Sequence, residues 1–114
     1  MLSVELLNAY GANTAEGLAR CLNNESFYLR LVSMGLGDKN FDRLQAAVAA
    51  GDARQAFEAA HALKGVMANL ALTPLSIPLS ELTERLRGRE EIGDVGDLLR
   101  EIMAQAEKAR TLGD

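Results

Sequence analysis

The sequence predicts an all-α fold: an antiparallel four-helix bundle with one or more short helices added at its N-terminus. Leu (19) and Ala (18) outnumber Val, Ile and Thr (12 together) threefold, and the first pair favours helix where the second set favours strand. Gly11, Gly35, Gly37, Gly51, Gly88 and Gly93 fall between segments whose apolar residues recur at three and four positions, the spacing of a helix face. The joints between the last four segments are short, which makes neighbouring helices antiparallel. At 114 residues, without a Ser/Pro/Gly-rich linker, a long charge block or a fixed-period repeat, the chain reads as a single domain. We expect an N-terminal cover over about residues 1–35 and a bundle core over about 38–112.

A short first helix is expected from Ser3 to Ala9. Asn13 then caps a second helix, with Glu16 at the third position and Ala15, Leu18, Ala19 and Leu22 as its apolar face. Gly17 weakens that segment. A third helix, roughly Glu25 to Met34, carries Phe27, Leu31 and Met34, with Tyr28 and Val32 broadening the stripe; Gly35 and Gly37 end it. Asp38 starts the next, with Phe41, Leu44 and Val48 inward, and Gly51 stops it. Asp52 begins the most strongly periodic segment, with Gln55 as capping-box partner and Ala53, Ala56, Ala60, Leu63, Met67 and Leu70 on one face. Thr73 is the natural cap of the following helix. Pro74 suits its first turn, Pro78 delays or kinks the start, and Leu75, Leu79, Leu82 and Leu86 repeat until Gly88. The last helix begins near Asp94 and carries Val95, Leu98, Ile102, Ala106 and Ala109.

Composition removes several function classes. With 12 Lys+Arg against 16 Asp+Glu and a formal charge of -4, a general nucleic-acid footprint is not expected. One Cys, Cys21, makes no internal disulfide and reads as a small core residue. One His supplies no histidine-based metal cluster, and Glu58 with His61 would need ligands from other helices that cannot be nominated. Met34, Met67 and Met103 read as core filler. Met1 to Tyr10 lacks a basic region followed by an apolar run, and no stretch approaches the ~20 apolar residues of a membrane span. We expect a cytoplasmic monomer with no metal or cofactor of its own.

The single histidine carries the functional argument. At about 100° per residue, the apolar stripe from Ala53 to Leu70 centres roughly 130° away from His61. His61 therefore points off the core, and Arg54, Phe57, Glu58, Lys64, Gly65 and Ala68 lie within about 60° of it. A mid-helix glycine costs about 0.8–1 kcal/mol relative to alanine, so Gly65 calls for a compensating reason. Helical side chains lean toward the N-terminus, and a large one at 65 would lean over the imidazole one turn before. Glycine leaves the ring open. Lys64 is near enough to reach an anion attached to that ring. Neutral imidazole keeps a nucleophilic nitrogen, and phosphoryl transfer needs in-line access and charge stabilisation more than machinery in the acceptor. Taken singly, each residue has a plainer reading: a surface histidine, a solvated lysine, a glycine that lets helices approach. Arg85, Arg87 and Arg89, the only basic cluster, read as a solvated helix end, with partner docking as the lesser alternative.

The segment from His61 through Ala62, Leu63, Lys64, Gly65, Val66, Met67, Ala68 and Asn69 to Leu70 resembles the signature of histidine-containing phosphotransfer (Hpt) domains, H-x-L-K-G followed by small residues and N-L. The resemblance extends more loosely to Tyr10-Gly11, Gly51-Asp52 and Leu79, Glu81 and Leu82. Ala71 departs from the glycine that many members have after N-L, and Pro78 interrupts a helix start that is often proline-free. Membership implies a four-helix bundle in which His61 is the phosphoacceptor, Lys64 steadies the phosphate and Gly65 keeps access open. It implies receiver domains and a hybrid sensor kinase as partners, with phosphoryl groups relayed between receiver aspartates and Mg2+ held by the receiver. A chain running from Met1 to just past its last helix favours a free relay protein over a kinase fragment. Arg54, Phe57, Glu58 and Ala68 are the expected docking residues. The competing reading is a non-catalytic helical adaptor that binds a receiver or kinase domain with the same face.

Overall fold

Side-chain caps start four of the seven helices in the computed structural model, which describes all 114 residues. Ser3 accepts from the Leu6 amide at the start of α1 (Val4–Tyr10), and Asn13 accepts from Glu16 at the start of α2 (Thr14–Arg20). Asn24 accepts from Phe27 before α3 (Glu25–Leu36), and Asp52 accepts from Gln55 before α5 (Ala53–Asn69). Each satisfies an amide that has no partner inside the helix. The Gln55 side chain does not complete a capping box, because its Oε1 accepts instead from Arg43 of α4 (Asn40–Ala49), at 3.1 Å from Nε. α4, α6 (Thr73–Leu86) and α7 (Gly96–Arg110) begin without a side-chain cap. Thr73 is therefore the first residue of α6 rather than its cap. Pro78 lies inside that helix and is buried, and α6 runs through it without interruption.

α4 to α7 form the bundle, with α5 packed between α4 and α6 and α7 against α6. Its interior repeats the sequence pattern: Ala53, Ala56, Ala60, Leu63 and Met67 from α5 meet Leu75, Leu79, Leu82 and Leu86 from α6, and Leu98, Ile102, Ala106 and Ala109 from α7. Each fully buried leucine contributes about 1.5–3 kcal/mol of transfer free energy. On α4 the third inward position is Ala47, while Val48 is only partly buried. Gly51, at φ 71°, turns the chain from α4 into α5. Ala71 turns it from α5 into α6 at φ 59°, in the left-handed region where a Cβ is disfavoured.

The N-terminal helices differ from expectation in the faces they bury. On α2, Ala15 and Ala19 are exposed, and Leu22 lies beyond the helix with its side chain in solvent; the inward positions are Thr14 and Gly17, followed by buried Cys21. On α3, Phe27 and Met34 point outward, while Tyr28, Val32, Gly35 and Leu36 are buried. Both corrections have one cause. The fully buried Tyr28 ring occupies the space where a Cβ on Gly17 would stand, 2.5 Å from Cε1 and Cζ, and its hydroxyl donates to the Leu70 carbonyl at 2.8 Å. Glycine is what lets α2 lie on α3, and α3 rotates to deliver Tyr28. Gly35 is likewise a packing residue inside α3, against Leu70 and Val66, and Gly37 is the actual C-cap.

The cover is part of the same core. Leu7, Tyr10, Ala12, Cys21, Tyr28 and Val32 belong to one cluster of 28 buried residues that runs through the bundle. The Tyr10 hydroxyl donates to the Gln105 carbonyl of α7, and burial pushes its pKa up to about 12. Arg20 donates to the Ala68 and Asn69 carbonyls at 2.8 and 2.9 Å, satisfying acceptors at the C-terminal end of α5. No helix is long and apolar enough to cross a membrane.

Candidate functional site

α5 turns its buried face to the bundle and leaves His61 exposed near its middle. A Cβ built on Gly65 meets nothing within 4 Å, so the space over the imidazole is open and the glycine is not there to let another helix approach. Lys64, beside it, is half-buried and makes no ion pair. A lysine without an ion-pair partner leaves its ammonium available to an anion.

The other residues of this face are arranged less uniformly. Phe57, one turn before His61, is partly buried against the core and stacks on the imidazole, with centroids 5.7 Å apart and planes 7° from parallel. Glu58 bridges α5 to α4 through Arg43 at 2.8 Å and also pairs with Arg54 one turn before it at 3.5 Å. The Arg54 side chain is 87% exposed, and Ala68 is exposed. An open groove beside Phe57 is lined by Gly51, Asp52, Arg54, Gly88 and Arg89. No three His, Cys, Asp or Glu side chains converge as ligands for a metal ion.

The family of Hpt domains matches residues 36–109, well over half of the chain. The chain belongs to the Hpt family. No individual curated protein and no solved structure matches it. Hpt domains serve phosphotransfer in phosphorelay signalling, and the matched residues span α4 to all but the last residue of α7, the four helices of the bundle, with His61 on the second of them.

This Hpt domain has two further residues at the site that sequence reasoning placed elsewhere or passed over. Arg87, at the C-terminal end of α6, sets its guanidinium 5.2 Å from the centre of the Phe57 ring. It also pairs with Glu84 at 3.0 Å. The Glu84 carboxyl is held below the usual carboxylate range, first by the hydrogen bond from Arg87 and then by its charge, with smaller contributions from the positive fields of Lys64 and His61. α6 thus brings a carboxylate and a cation to the rim of the histidine face. Phe57 stands 14 residues before Ala71 and Arg87 stands 16 after it, so they meet only through the register in which the antiparallel α5 and α6 pack, which neither helix displays in its own sequence.

Proposed function

We propose that this Hpt domain is a phosphorelay intermediate that accepts a phosphoryl group on His61 from a receiver-domain aspartate and passes it to a second receiver. The observation that carries the reading is the open column above the ring: His61 is exposed, the position one turn on is a glycine with empty space around it, and an unpaired lysine adjoins both. In the transfer, the lone pair of a neutral imidazole nitrogen forms the N–P bond as the O–P bond of the acyl phosphate breaks, and its electron pair leaves on the aspartate carboxylate. The ring passes through an imidazolium that releases the proton of its other nitrogen to water. Lys64 faces the anionic phosphoryl oxygens, and Gly65 leaves the in-line path clear. Mg2+ belongs with the receiver, and a hybrid sensor kinase supplies the chain of transfers from outside this domain. Arg54, Phe57, Glu58 and Ala68 form the rim on which the receiver docks. A cytoplasmic monomer fits this role, and a single unpaired cysteine suits a reducing compartment.

Incubation with a phosphorylated receiver is expected to place an acid-labile, base-stable label on the wild-type chain, and His61→Gln is expected to abolish it while leaving receiver binding measurable. Label retained by the variant would overturn the assignment of His61. Binding without label in the wild type would make the chain an adaptor.

A further inference from the structure

Phe57 is an unusual neighbour for an exposed histidine. An aromatic ring on the solvent side of a bundle helix loses burial that a core position would give, yet this one is anchored by packing against the core and presents a face to His61. Stacking of this geometry biases the imidazole about 2- to 12-fold toward the stacked rotamer. The anchor is reinforced from α6, where Glu84 holds the Arg87 guanidinium at 3.0 Å and that guanidinium lies over the Phe57 ring. The chain Glu84, Arg87, Phe57, His61 crosses from one helix of the hairpin to the other, so the orientation of the ring is tied to the α5 and α6 pairing itself.

Resting on the phosphoacceptor reading of His61, we infer that Phe57, clamped by the Arg87–Glu84 pair, is a positioning residue that holds the imidazole in the rotamer used for phosphoryl transfer. A nucleophile that must meet phosphorus in line loses rate when it samples other rotamers, and misplacement on the ångström scale costs up to about 100-fold. The same ring face stabilises the positive charge that the imidazole gains as the N–P bond forms. Lys64 and Gly65 act on the phosphoryl group; Phe57 acts on the ring that receives it.

The single histidine makes the test direct, because its ring protons give one set of signals in the NMR spectrum. In Phe57→Leu those signals are expected to lose the upfield shift of a stacked ring. Label uptake at saturating phospho-receiver is expected to fall about 10-fold or more, a loss that remains after any rise in the half-saturating receiver concentration from the weakened docking rim. Phe57→Tyr, which keeps the ring, is expected to restore both, and Arg87→Gln to move the His61 signals in the same direction as Phe57→Leu. Unchanged His61 signals in Phe57→Leu would overturn the stack. A defect confined to the half-saturating concentration would overturn positioning and leave Phe57 as a docking contact. Wild-type protein that takes no label would overturn the phosphorelay reading and the transfer part of this proposal together, while the NMR comparison would still decide whether the stack exists.

Discussion

Gly65 carries the most specific claim that one residue makes here. With open space where a Cβ would stand, a side chain there disturbs no packed contact, so the main stability effect expected is the helix preference, about 0.8 kcal/mol in favour of the substituted residue. Gly65→Leu is therefore expected to unfold slightly later, by roughly 3–5 °C in a thermal scan, while label uptake by His61 falls at least about tenfold as the leucine leans over the ring. Stability and transfer moving in opposite directions is the mark of a residue kept for access. Normal transfer in that variant would refute the access argument. His61, Lys64 and Gly65 were legible in the sequence because their relation is local, fixed by the rotation of one helix. Glu84 and Arg87 were not, because their relation to Phe57 depends on the register of a second helix.

At the scale of elements, side-chain chemistry was read well and burial less well. Asn13 and Asp52 cap the helices that their positions indicate, and α5 and α6 bury the stripes that periodicity selects. On α2 and α3 the same periodicity placed some residues on the wrong side, Ala15 and Ala19 on α2 and Phe27 and Met34 on α3, while Leu18, Tyr28, Leu31 and Val32 do face the core; apolar residues counted by hydropathy alone outvoted Gly17 and Gly35, whose value is the absence of a side chain. A contact made through glycine leaves no hydrophobic signal. The joint after α5 gives the corresponding prediction. Ala71 holds φ 59° and is buried, and its carbonyl accepts from the Asn13 amide at 2.9 Å. The left-handed backbone costs a non-glycine residue about 1–2 kcal/mol, and glycine returns part of that through a more flexible unfolded chain. Ala71→Gly is expected to raise stability by up to about 1 kcal/mol in urea denaturation with the m-value unchanged. A clear loss would show that the alanine methyl's packing outweighs the backbone strain.

The whole molecule is a bundle with its cover built into the same core. The family match begins at residue 36, yet Tyr28 bonds to Leu70 and Arg20 to the end of α5, so α2 and α3 hold the histidine helix in place as well as covering it. Charge is distributed just as unevenly. The chain carries a formal charge of -4, and around the histidine face and its groove Arg54 is paired with Glu58 and Arg87 with Glu84, which leaves Lys64 and Arg89 as cations without an ion pair beside Asp52 and Glu90. On the proposed relay role, those two unpaired cations would orient an acidic partner surface toward His61 before contact. Relay speed at low protein concentration then depends on the ionic strength of the medium. The second-order rate of label uptake is expected to fall severalfold as the screening length shrinks from about 30 Å at 0.01 M salt to about 8 Å at 0.15 M, with the rate at saturating receiver nearly unchanged. A salt-independent second-order rate would remove the orienting role of Lys64 and Arg89. On the phosphorelay reading, two unpaired cations set on an anionic body would let the protein select among its collisions before any chemistry begins.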